Sequence, residues 1–425
     1  MIPLRQLALA VFTQTIALCA LVALAGCVRV NMQGNPQAWV ESMADTMGTT
    51  TPLRVATYNT SLYDGASGGL IRRLQNGDAK ERKIAAVLQR VRPDLVLLNE
   101  FDFDADHRAA DVFQRNYLQV TQAGGGDALH YPYRYLAPVN TGVPSGLDLD
   151  RNGVAGGEGR AGGNDAWGYG LHPGQYGMLV LSRHPIDSAQ VRTFQLLKWS
   201  ALPNARQSRD PATGAAWYPP AIWSQLRLSS KSHWDVPVRT PLGTVHLLAS
   251  HPTPPVFDGP EDRNGVRNFD EIRLWAEYLS PDALAPATSA WLCDDQGRCG
   301  GLAAQARFVI AGDLNADPAD GDGAPAAIHQ LLSHPRIDAS VAPRSVGAVE
   351  RAVGHGLPRK GDVGTHTGDF GPRSGTLRLD YLLPSRGLRV RDSGVFWPVS
   401  DSPDAAIADA SDHYLVWLDI DNTPR

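Results

Sequence analysis

The chain has 425 residues, 43% of them hydrophobic, which is ample for a large core, and a length that would allow two or three domains. Its formal net charge is −5 and no block of Lys or Arg stands out, so sequence-independent tracking of long duplex nucleic acid has little electrostatic support. No internal repeat or coiled-coil period is present, and 42 Gly with 31 Pro point to a loop-rich architecture.

Arg5 precedes an apolar stretch from Leu7 to Ala25, and Leu24-Ala-Gly-Cys27 closes it. This is the pattern of a bacterial lipoprotein signal peptide and its lipobox, with residues 1–26 as leader and Cys27 as the lipidated first residue. An uncleaved membrane anchor is the competing reading, because the stretch approaches the roughly twenty residues that span a bilayer. Thr13, Gln14 and Thr15 weaken it. Val28 rather than Asp after Cys27 points to an outer-membrane lipid anchor on the cell envelope, by the usual Gram-negative sorting rule. Residues 27–52 read as a polar tether with Gly34, Pro36 and a Thr49-Thr50-Thr51 run.

From residue 53 the pattern becomes that of a packed domain. Leu53, Val55 and Thr57 alternate along a strand that ends at Asn59, and Pro93 to Glu100 is a continuous apolar run of the kind a strand shows when covered on both faces. Between them Asp78 with Glu81 forms a capping signal, and Ile84, Val87, Leu88 and Val91 repeat at helical spacing before Pro93. Asn59 and Glu100 therefore sit at strand ends, where a rigid scaffold presents side chains to a cleft.

Asp148, Asp150 and Asn152 before Gly153 imitate the first half of a calcium loop, but Gly159 stands where that loop needs its last carboxylate. A flexible loop between Tyr135 and Tyr176 is the better reading, and a loop of that length can line a cleft. Met178 to Ser182 reads as a strand; Arg183 after it reads as an exposed strand-end arginine more readily than as a cleft residue. His251 follows the strand Val245–Ser250 and opens a proline-punctuated segment; Arg263 or Arg267 beyond it is a phosphate contact or a surface salt-bridging group. Cys293 and Cys299, close together in a chain read as exported, suggest a small disulfide loop, with free thiols as the alternative.

Toward the C-terminus, Asp313 and Asn315 in Gly-Asp-Leu-Asn, Asp380 in Leu-Asp-Tyr and Asp412-His413 lie in or against strand-like runs at 308–311, 377–383 and 415–420. Carboxylates near a core are disfavoured by desolvation, so several of them with a histidine indicate a metal, a proton-transfer site or both. Pairing Asp380 with His413 would fix the imidazole tautomer and favour its charged form.

Taken in order, Asn59, Glu100, His251, Gly312-Asp-Leu-Asn, Leu379-Asp-Tyr and Ser411-Asp-His resemble the endonuclease/exonuclease/phosphatase superfamily of metal-dependent phosphoesterases. The resemblance spans most of the chain and implies one domain over 53–425, an α/β four-layer sandwich of two packed mixed or antiparallel sheets flanked by helices. It implies Mg²⁺ or Mn²⁺ held by Glu100 and Asp412 with Asn59 assisting, His251 gripping phosphate, Asp313 orienting or deprotonating water, and Asn315 donating to phosphoryl oxygens. Asp313 and His413 both stay open as the general base. The substrate would be a phosphate ester, with nucleic acid not favoured by charge, and the protein a monomer. A non-catalytic envelope lipoprotein using the same fold for binding is the alternative.

Overall fold

The computed structural model describes residues 51–422, so the leader, Cys27 and nearly all of the tether lie outside the described residues. Those described belong to a single compact unit. No helix among them is long and apolar enough to cross a membrane.

Among the described residues, thirteen strands form two main sheets and one short ribbon. They are β1 (Leu53–Leu62), β2 (Leu95–Phe101), β3 (Tyr133–Tyr135), β4 (Met178–Ser182), β5 (Arg192–Thr193), β6 (His233–Thr240) and β7 (Gly243–Ser250). The remainder are β8 (Arg307–Asp313), β9 (Gly368–Asp369), β10 (Thr376–Leu377), β11 (Asp380–Pro384), β12 (Arg389–Val395) and β13 (Val416–Asp421). One sheet runs β12-β13-β1-β2-β4-β3 and the other β11-β8-β7-β6-β5, with β9 and β10 paired separately. Each main sheet has a single parallel pair, β1 with β2 and β7 with β8, and is otherwise antiparallel. Each parallel pair needs a crossover, and a helix supplies it: Ala79–Val91 for the first and Arg263–Leu279 for the second.

The period-two pattern sorts residues between layers. Leu53 and Val55 of β1 with Leu95 and Leu97 of β2 pack against Trp234, Val236, Leu247 and Val309 of the second sheet. Tyr58, Val96 and Leu98 turn outward onto Ile84, Val87, Leu88 and Val91 of the first crossover helix. On the far side Leu248, Phe308 and Ile310 meet Ile272, Trp275 and Tyr278 of the second helix. The layers are thus helix, sheet, sheet and helix, as the resemblance implied.

Four local expectations are corrected. Asp78 caps the first crossover helix by accepting from Lys80 N at 3.3 Å, but Glu81 forms no capping box; it is buried against the Arg73 guanidinium. The run 377–383 is not one strand, because Arg378 N donates to Asp317 Oδ2 at 2.8 Å and the chain breaks there between β10 and β11. The 148–165 loop is knit rather than flexible in its bonding: Asp165 accepts from the amides of Leu149 and Gly156, both at 2.7 Å, and Asp148 accepts from Gly153. Arg267 gives its guanidinium to the carbonyls of Leu228, Trp167 and Arg227, so it is a half-buried loop clamp rather than a surface salt-bridging group. Arg183 is exposed beside Asp94, and Cys293 is bonded to Cys299.

Candidate active site

The site forms where both sheets end. Asn59 of β1 and Asn99 of β2 are register partners, and pairing then slips between Asn59 and Leu62. At that slip Ser61 and Glu100 take positive φ, 47° and 57°, a local kink that swings both side chains out of the pleat. Asn315, two residues past β8, also takes φ 51°. Three such residues at one end of the molecule are backbone outliers of the kind that cluster at functional positions.

Asp313 is the hub. Its Oδ2 accepts from Asn59 Nδ2 at 3.0 Å and lies 3.5 Å from His251 Nε2 and 3.6 Å from His413 Nε2. Its Oδ1 accepts from Asn315 N at 2.9 Å, while its own amide donates to Asn99 Oδ1 at 3.1 Å. Asn59 and Asn99 belong to one sheet and Asp313 to the other, so these bonds cross the sandwich. Burial pushes the Asp313 carboxyl up to about 7, despite the opposing pull of His413.

His413 faces Asp313 on one side and Asp380 on the other. Its Nδ1 donates to Asp380 Oδ2 at 2.8 Å, and the same oxygen accepts from Thr367 Oγ1 at 2.7 Å. The Thr367 hydroxyl is itself fixed, because it accepts from the amides of Leu379 and Asp380, both at 3.0 Å. Burial works against a charged imidazole, but the Asp380 and Asp313 carboxylates outweigh it and hold His413 well above the usual histidine range. His251 is the opposite case: burial, with Lys231 and His413 nearby, drives it well below that range, so its ring is neutral. His251 Nδ1 and Asp380 Oδ1 are buried without a hydrogen-bond partner among the described residues.

Glu100 is half-buried and Asp412 exposed. Burial raises the Glu100 carboxyl first, the Asp412 charge raises it further, and His413 and Asn59 oppose this. Ser61 ties the group together, its amide donating to Asn59 Oδ1 at 3.2 Å and its hydroxyl standing 3.4 Å from Asp412 Oδ1. The Glu100 and Asp412 carboxylates with the Asn59 amide oxygen offer an all-oxygen donor set that suits a hard divalent cation.

Asn59, Glu100, His251, Asp313, Asn315, Asp380, Asp412 and His413 are therefore gathered at this end of the sandwich, whereas Arg183 lies beside Asp94 at the other end of β2. The sequence reading missed Asn99, Thr367 and Lys231. Asn99 carried a signal, as the polar residue beside Glu100 at the end of an apolar run. Thr367 and Lys231 carried none, since each reaches the site from an irregular segment. Lys231 is buried with no hydrogen-bond or ion-pair partner for its ammonium among the described residues. Burial lowers its pKa, and Glu271, Glu100 and Asp313 act against that.

The model of the Endonuclease/Exonuclease/phosphatase family matches residues 56–413. No curated protein matches the chain. Among solved structures, an endonuclease/exonuclease/phosphatase from Beutenbergia cavernae is 19% identical, covers 88% of this chain and 72% of that one, and has a TM-score of 0.48. Sphingomyelinase C from Streptomyces griseocarneus is 16% identical over 87% of this chain and 99% of that one, TM-score 0.40. A beta toxin variant from Staphylococcus aureus with bound magnesium ions is 12% identical over 87% of this chain and 99% of that one, TM-score 0.41. With its family model matched from the first strand to His413, the chain belongs to the endonuclease/exonuclease/phosphatase family of phosphoester hydrolases.

Proposed function

We propose that the protein is a divalent-metal-dependent hydrolase of phosphate esters, acting as a phosphodiesterase, phosphatase or nuclease. The observation that carries this reading is the convergence of Asn59, His251 and His413 on one oxygen of Asp313, beside the half-buried Glu100 carboxylate.

Glu100, Asp412 and Asn59 would hold Mg²⁺ or Mn²⁺, which when bound neutralises charge on the phosphoryl group. The rest falls to the chain. Asp313 is buried and its carboxyl lies near neutrality, which matches a group that takes a proton from water as the water oxygen attacks phosphorus and the ester P–O bond breaks. Asn59 fixes that carboxylate by donating to it. The charged His413 ring, set by Asp380 and Thr367, stabilises charge on the phosphoryl oxygens and is already protonated, so Asp313 rather than His413 serves as base. Neutral His251 and Lys231, which act on one another electrostatically, would grip phosphate, and Asn315 adds a neutral donor.

Hydrolysis of bis-p-nitrophenyl phosphate tests this directly. We expect metal-dependent turnover that chelation abolishes and His413→Ala removes. Folded, metal-loaded protein inert toward that ester and toward DNA, RNA, inositol phosphates and phospholipids would leave the binding-module alternative standing.

We further propose display on the cell envelope through lipidated Cys27, which rests on the Leu24-Ala-Gly-Cys27 motif. Cys27→Ser should move the protein out of the membrane fraction; retention there would overturn lipid anchoring.

A further inference from the structure

We infer that Tyr63 and Tyr176 form a stacking subsite beside Glu100 for a ring-bearing group of the phosphoester that carries no further negative charge. This rests on the reading of Glu100 as marking the phosphoryl end of the site.

The strand β2 is flanked by β1 and β4. At its end Leu62 of β1 pairs with Phe101, and Phe101 N donates to Gly177 O at 3.0 Å. Tyr63 and Tyr176 thus leave the neighbouring strands at the same level and reach toward each other over the end of β2. Their ring centroids are 4.5 Å apart with planes tilted by 53°, and both residues remain half-exposed. The Glu100 carboxylate acts on both phenols: burial and Glu100 raise Tyr63, and burial, Tyr63 and Glu100 raise Tyr176.

This placement is held against a backbone cost. Tyr176 has φ 57°, a conformation that an aromatic residue adopts only when its surroundings impose it. One carboxylate imposes it. Asp102 Oδ1 accepts from Tyr176 N at 3.1 Å and Oδ2 accepts from Asp64 N at 2.9 Å, so a single buried side chain locks the turns on both sides of the ring pair. Gln175 Nε2 adds a bond across them to Asp64 O at 2.8 Å. Nothing in packing alone demands this, because the rings are left half-open to solvent.

Charge then selects the ligand. A cavity of about 460 Å³ adjoins Asp102, lined by Leu70, Ile71 and Phe103 and by Asp102, Asp104 and Asp106, with Arg108 and His172 as its basic groups. Neither tyrosine lines that cavity; at the ring pair itself the Glu100, Asp412 and Asp102 carboxylates act on Tyr63 with Arg73 alone opposing them, a surplus of negative charge that favours a neutral ring and disfavours an additional anion, as a second phosphate would be.

Calorimetric titration of the magnesium-loaded full-length protein with inorganic phosphate, phenyl phosphate and 4-carboxyphenyl phosphate tests the proposal. Wild type should bind phenyl phosphate about tenfold more tightly than inorganic phosphate, the scale of one ring stacked on an aromatic side chain. The carboxylated probe should lose most of that gain. Tyr176→Gly is the informative variant, since glycine accepts the positive φ without strain while the ring is removed. In it the preference should fall to about one, with Tyr63→Leu as a second route to the same result. A preference that survives Tyr176→Gly, or equal binding of the carboxylated probe, would overturn the subsite while leaving the phosphoesterase reading intact. Failure of wild type to bind any of the three would overturn both.

Discussion

Asp380→Asn is the sharpest perturbation of the proposed chemistry, because it removes a charge while keeping the shape. Asp380 Oδ2 accepts from His413 at 2.8 Å and from Thr367 at 2.7 Å in a buried setting, and an asparagine oxygen can take the same place. What disappears is the attraction that keeps the ring protonated. At an effective dielectric of about 20, two unit charges about 4 Å apart attract by about 4 kcal/mol, equal to about three pKa units. With screening by neighbours we expect the His413 pKa to drop by roughly one to three units. Since a raised pKa keeps the ring charged until high pH, the alkaline limb of the kcat/KM profile should move down by that amount. At slightly alkaline pH the loss should be about 10–100-fold, the scale seen when the partner orienting an active histidine is removed. The assay is the pH dependence of bis-p-nitrophenyl phosphate hydrolysis from about pH 5 to 10, with thermal melting to confirm folding. An alkaline limb that stays in place, or a loss below about twofold, would refute the reasoning.

Other outcomes follow from separate features. Lys231→Met removes a desolvated cation that forms no hydrogen bond or ion pair among the described residues, so the melting temperature should rise by about 2 °C or more while kcat/KM falls about 100-fold; a melting temperature that drops would mean the ammonium is a structural anchor. His233 is buried, donates and accepts through Glu271 O at 2.9 Å and Ser229 Oγ at 2.6 Å, and is depressed by burial to about 4. A depressed pKa gives stability that is present above the unfolded value of about 6.5 and lost as pH falls through about 4, worth about 3 kcal/mol in all. His233→Asn should flatten that acid slope in melting curves, and an unchanged slope would remove His233 as its cause. Replacing Cys293 and Cys299 by serine opens a loop of sequence separation 6 and should cost about 2 kcal/mol in denaturant unfolding, with turnover unaffected.

Much of this architecture was legible in the order of residues. Alternation in β1 and the doubly covered run of β2 fixed which faces are apolar, and the helix between them announced itself through Asp78 and its spaced aliphatic residues. The polar residues that end each run were legible for the same reason: a carboxylate set against an apolar strand is conspicuous. What stayed hidden depends on contacts between segments far apart in the chain. Glu81 looks like a capping residue until Arg73 is seen to cover it. The break at Arg378 is set by Asp317, 61 residues earlier. Arg267 looks like a free guanidinium until three loop carbonyls are found around it. Lys231 between two serines has no local mark at all.

The bonds from Asn59 and Asn99 to Asp313 have a consequence for how the molecule matures. They are rivets between two sheets that each bring only part of the machinery, so neither half is competent before docking. Turnover would then be among the last properties regained on refolding, trailing the recovery of secondary structure. A chain that breathes between its layers would lose catalysis well before it unravels.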